Sequence, residues 1–150
     1  MSTMQIDVSP ELRRAGRRFG YGIAIVINVA MLIVVQNILD WGWLSFLTAE
    51  FGEVVPWITL SLLVSILANL IYQYKDSRAV KSTGQILINT ISIIVTYRIF
   101  QVFPFDFSGY EFDWAIVVRI VLILAMVGAG IGVLTEAVKL ASSGPEKERR

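Results

Sequence analysis

Residues 19–39 read FGYGIAIVINVAMLIVVQNIL, a run whose polar side chains are Asn28, Gln36 and Asn37 and which contains no charge. About 20 residues rising 1.5 Å each cross the roughly 30 Å hydrocarbon core of a bilayer. A helix with isolated polar residues and no polar face has no side to turn to water. The stretch therefore predicts a membrane-crossing helix. Three more runs of similar character follow, at 55–74, 84–103 and 114–138. The second opens at Pro56-Trp57, a proline placed where a first helical turn tolerates it. The third carries Arg98; the fourth carries Arg119, ends on Glu136, and is the longest, so it is expected to tilt or project beyond the bilayer.

The charges around these runs are sorted by side. Arg13, Arg14, Arg17 and Arg18 precede the first run; Lys75, Arg78 and Lys81 separate the second from the third; Lys139, Lys147, Arg149 and Arg150 belong to the end of the chain. Eleven of the 13 basic residues thus fall on one side. The other two connections, about 40–54 and 104–113, hold Asp40, Glu50, Glu53, Asp106, Glu111 and Asp113, with no Lys or Arg. Basic loops stay in the cytoplasm. The expected fold is all-α: an antiparallel four-helix bundle integral to a cell membrane of the bacterial inner-membrane type, with N and C termini cytoplasmic. Residues 1–18 form its basic N-terminal segment, 19–138 the bundle, and 139–150 a charged cytoplasmic tail. Disorder is expected in 1–10 and in the tail after Ser142, which is broken at Gly144-Pro145. The arginines ahead of the first run look like the start of a signal peptide. The run is too long for one, however, and no small-residue cleavage pattern closes it.

Composition agrees with lipid as the solvent. Of 150 residues, 55% are hydrophobic and 17% charged, against roughly 25% charged in a soluble domain; mean hydropathy is +0.66. The absence of Cys and His excludes disulfides, thiolate or imidazole catalysis, Cys/His zinc sites, iron–sulfur clusters and His-ligated haem. No nucleotide loop, nucleophile elbow or EF-hand spacing appears among the remaining residues. The chain is expected to be no enzyme and to hold no metal or cofactor. Its basic residues are explained by topology and attraction to anionic lipid, without nucleic acid.

Aromatic residues cluster at the acidic loops: Trp41, Trp43, Phe46, Phe51 and Trp57 around the first, Phe103, Phe105, Phe107, Tyr110, Phe112 and Trp114 around the second. Such residues anchor helices at the membrane interface. Small and polar residues at helical spacing mark where helices approach in lipid, where apolar contact drives nothing. Gly128 and Gly132 form a GxxxG pair in the fourth run. Asn28, Asn69 and Asn89 fall at one level if adjacent runs are antiparallel, which predicts a layer of interhelical hydrogen bonds or, more sharply, a polar lining for a solute path.

Arg98 and Arg119 stand equally far from the middle of the second acidic loop, so the same antiparallel hairpin places them at matching depth. Guanidiniums in hydrocarbon are costly, by about 2.5–3.5 kcal/mol each at mid-bilayer on insertion scales. Compensation is expected from Asp106, Glu111, Asp113 or Asp40, or else from an anionic ligand such as a lipid phosphate held bidentately.

Two functions fit these features. One is a non-enzymatic accessory, assembly or scaffold subunit that packs with itself or with a larger membrane complex. The alternative is a small oligomeric transporter or channel with an anion or lipid-phosphate site at Arg98 and Arg119. Four-span multidrug transporters rely on a membrane-embedded glutamate in the first span, and 19–39 has no acid. The segments Arg17-Arg18-Phe19-Gly20, Trp41-Gly42-Trp43-Leu44-Ser45-Phe46-Leu47-Thr48 and Gln101-Val102-Phe103-Pro104-Phe105-Asp106-Phe107 resemble those of uncharacterised small four-span bacterial integral membrane proteins. The resemblance covers about residues 17–138 and implies the fold without an activity.

Overall fold

The computed structural model describes residues 9–142. The segments 1–8 and 143–150, including most of the disorder expected at the two ends, lie outside the described residues. The chain is all-helical, with α1 at Pro10–Trp41, α2 at Phe51–Tyr74, α3 at Arg78–Val102 and α4 at Trp114–Ser142. All four are long and apolar enough to cross a membrane, which makes this a small multi-pass helical membrane protein.

Each helix extends past its apolar run at one end or both, and local capping explains where α1 and α3 begin. α1 starts at Pro10 rather than 19: Ser9 accepts the Leu12 N–H, Pro10 supplies a preset φ, and Glu11 sits in the first turn, all favourable N-terminal features. Arg13, Arg14, Arg17 and Arg18 therefore ride on the helix. At 32 residues α1 is about 48 Å long, well beyond a hydrocarbon core. It ends at Gly42 (φ 59), whose N–H donates to Leu39, a left-handed cap that glycine adopts without penalty. α3 starts at Arg78 instead of 84 because Ser77 accepts the Val80 N–H. In α2, hydrogen bonds from Phe51, Gly52 and Glu53 to carbonyls three residues back lead into the helix. Pro56 consequently lies inside α2, not in its first turn as the apolar run implied.

The helices form an antiparallel row. Arg17 near the start of α1 meets Asp76 after α2, while Gln36 near its end donates to Thr59 at 2.8 Å. Tyr72 of α2 donates to the Lys81 carbonyl at the start of α3, and Ser82 of α3 to Glu136 near the end of α4. Each helix packs on its chain neighbour, and among the described residues α1 and α4 do not pack on each other. The four-helix bundle is therefore open along one side.

Buried residues gather in two places, Ala68, Tyr72 and Ser82 toward the basic end and an apolar core at the other. Val35, Phe51 and Val54 form the core, with Ile38, Leu47, Ile58, Ile99 and Val102 packed around them. Above it the two acidic loops clasp: Thr48 N–H donates to the Pro104 carbonyl at 3.0 Å and Asp106 N–H to the Phe46 carbonyl at 2.8 Å. Phe46, Phe105 and Phe107 stack within 6.4 Å of one another, and Pro104 is fully buried. The loops thus hold each other. Along their length the helices carry large exposed apolar side chains, and α4 has no buried residue.

Candidate functional site

Arg98 and Arg119 lie on α3 and α4 with their side chains exposed. The Arg98 guanidinium carbon is 5.1 Å from the centroid of Trp57 on α2. That of Arg119 is 4.0 Å from Phe103 and 5.4 Å from Phe100. Among the described residues neither arginine forms an ion pair. Two of the acids expected to compensate them are engaged elsewhere: Asp106 accepts the Ser108 N–H at 2.9 Å, and Asp113 the Ile116 N–H at 3.4 Å, capping α4. Aromatic faces take the place of carboxylates, each worth about 0.5–1 kcal/mol where exposed and 2 or more where desolvated. The two guanidiniums address different rings, Arg98 toward α2 and Arg119 toward the end of α3.

The Arg119 partner is itself unusual. Phe103 adopts the left-handed conformation, φ 44 and ψ 62, with its N–H donating to Ile99. A non-glycine residue there carries roughly 1–3 kcal/mol of strain, and here it turns the chain into the buried Pro104. The turn presents the Phe103 ring both to Arg119 and, edge-on at 5.5 Å, to Phe105.

Among the described residues no hydrogen bond joins Asn28, Asn69 and Asn89 to one another. Asn28 donates to the Ala24 carbonyl and Asn69 to the Ser65 carbonyl, both at 2.7 Å and both within their own helices. A carbonyl one turn back is always in reach, so these amides are satisfied without a partner helix. Asn89 alone serves an interhelical contact, packing onto Gly132 of α4. Gly132 is accordingly at a close approach. Gly128 is not: it faces open space, as does Gly130.

The densest polar cluster is at the opposite, basic end, and the sequence reading did not single it out. Asp76, between α2 and α3, accepts from Arg17 Nε at 2.8 Å, from Tyr21 Oη at 3.1 Å and from Lys81 Nζ. Its carboxyl is held down from 3.8 to about 2, chiefly by the Lys81 hydrogen bond; partial burial opposes this, and Arg17 and Tyr21 add to it. Lys81 also stands over the Tyr21 ring, which packs at 5.5 Å on Tyr72. Beneath Tyr72, Gly84 leaves room for the hydroxyl, where any Cβ would collide. Across the cleft Glu136 accepts from Ser82 at 2.8 Å and from Lys139 at 2.6 Å. Arg17 and Lys81 read from the sequence only as topological charge, whereas Lys139 is the base nearest to hand for Glu136, with which it pairs. The available signal was Asp76 itself, the one acid among Lys75, Arg78 and Lys81.

Arg17, Asp76, Lys81, Ser82, Glu136 and Lys139 line a cavity of about 640 Å³ open to solvent. A separate apolar groove of about 500 Å³ runs between α2 and α3. Among the described residues no group of acids is arranged to hold a metal ion. Comparison with known protein families, curated proteins and solved structures finds no match to this chain.

Proposed function

We propose that the chain is an integral protein of a cell membrane, of the bacterial inner-membrane type, with both ends and the 75–77 connection in the cytoplasm. In this reading it works without catalysis, as an accessory, assembly or scaffold subunit that packs with itself or with a larger membrane complex. One observation carries the role: α4 buries no residue, α1 does not cover it, and Gly128 and Gly130 face open space. Small residues on an uncovered apolar helix are the surface on which lipid-embedded helices associate. The orientation follows from the basic residues gathered at one end and the acidic loops at the other. The sequence resemblance to small four-span bacterial membrane proteins is consistent with it.

The chain has no natural cysteine, so Gly128→Cys in lipid vesicles reports directly on that face. Oxidative cross-linking is expected to give a discrete larger species, whereas a Cys at Trp43 in the clasped loop is expected to stay single. A wild-type particle that native mass spectrometry finds as one copy with no partner, together with no cross-link at Gly128→Cys, would sink the role. The transporter or channel alternative keeps one specific support, two arginines without carboxylate partners. Its test is anion flux into vesicles, abolished by Arg98→Ala.

A further inference from the structure

The cleft at the basic end has more cations than its carboxylates can hold. Arg17, Arg78, Lys81 and Lys139 line it, against Asp76 and Glu136. Asp76 is shared by Arg17 and Lys81, and Glu136 takes Lys139. Arg78 has no carboxylate partner among the described residues. Two positive charges are therefore left over around one concave space. The two acids do not neutralise it; they fix three of the four cations around its rim, which lowers the ordering cost a ligand would otherwise meet. The cleft also lies at the start of α3, capped by Ser77, whose first turn adds positive potential.

The cavity is built from parts far apart in sequence: α1, the 75–77 connection, α3 and α4 each contribute to it, although α1 and α4 do not pack on each other. Its volume of about 640 Å³ falls in the range of small-molecule sites, roughly 300–1,000 Å³, and exceeds what a simple ion needs. Arginine and lysine together are suited to phosphate: the guanidinium fork binds two oxygens and the ammonium acts as a point charge. Ser82 offers a further hydroxyl in the same wall.

We propose that this cleft binds a phosphate-bearing anion, with Arg78 and Lys139 as its principal contacts and the Asp76 and Glu136 networks as the frame that positions the rest. Two sources share this chemistry, the phosphate of an anionic lipid headgroup and a soluble phosphate compound. The lipid source rests on the membrane reading above.

The test uses the full chain in a neutral maltoside detergent. Native mass spectrometry after incubation with mixed phosphatidylcholine and phosphatidylglycerol micelles is expected to show phosphatidylglycerol retained selectively. Arg78→Gln and Lys139→Gln are each expected to reduce that retention about five-fold, the worth of one basic residue against an anionic lipid. Arg78→Lys is expected to restore most of it. Lys75→Gln removes a charge from the same end outside the cleft and is expected to change nothing. Calorimetry with inorganic phosphate provides the second arm. Heat that disappears in Arg78→Gln identifies a soluble phosphate ligand; retention of phosphatidylglycerol without that heat identifies the lipid.

Wild-type protein that retains neither probe overturns the proposal, as does equal loss in Lys75→Gln, which would be surface attraction only. Far-UV circular dichroism shows that each variant is folded. Resistance of the protein to carbonate extraction from membranes tests the membrane reading separately, so the two fail independently.

Discussion

Asn89 on α3 fills the space that a side chain at Gly132 on α4 would need: a Cβ there would stand 2.5 Å from Asn89 Nδ2 and 3.2 Å from its Cγ. The absent side chain is what lets the two helices close. Gly132→Ala is expected to destabilise the fold by about 1 kcal/mol, since the amide has some freedom to move, and Gly132→Leu by about 1–3 kcal/mol. Gly128→Ala meets open space and is expected to be neutral or to stabilise by up to about 1 kcal/mol through helix propensity. Detergent-induced unfolding of the three variants measures this, and equal loss at the two glycines would contradict it.

Arg98 and Trp57 should be energetically coupled. A double-mutant cycle of Arg98→Ala and Trp57→Leu is expected to give about 0.5–2 kcal/mol. Asp106→Asn and Glu111→Gln are expected to leave the Arg98→Ala effect unchanged, because neither acid pairs with the guanidinium. Coupling to an acid in place of the ring would reverse the assignment.

The Asp76 network should make stability depend on acid. Its carboxyl is held at about 2 against an ordinary 3.8, so the ionised form is favoured by folding. That contribution is complete above about pH 4 and is lost as pH falls toward 2. Thermal midpoints of the wild type are expected to drop through this window by more than those of Asp76→Asn, and parallel curves would rule the network out as a source of stability.

Sidedness is checked with single cysteines. An impermeant maleimide added outside intact cells is expected to label Ser108→Cys and to spare Ser77→Cys until the membrane is opened. The reverse pattern would invert the proposed orientation.

The four helices were legible because a membrane-length apolar run is a signal few other structures produce. Their ends were not, since 19, 55 and 84 mark where hydrophobicity begins, while Pro10, Phe51 and Arg78 mark where hydrogen bonding does. Ser9-Pro10-Glu11 already spelled the first of these starts. For Arg98 and Arg119 hairpin arithmetic yields an expected depth only, and their partners depended on the direction of each side chain, which spacing does not encode. Asn28 and Asn69 illustrate the same gap: an amide on an apolar helix satisfies itself one turn back as readily as it reaches a neighbour. The basic-end cleft needs four separate segments to converge, and no single segment announces it.

The row of helices also dictates an order of assembly. Every helix finds its packing partner in the segment made immediately before or after it, so contacts accumulate as the chain emerges, with little loop-closure entropy at each step. Among the contacts that skip a chain neighbour are the loop hydrogen bonds from Thr48 to Pro104 and from Asp106 to Phe46. These join the first hairpin to the last and have to wait until α3 is complete. The clasp is thus a late fastening, and weakening it should leave both hairpins inserted while delaying only the final step of folding.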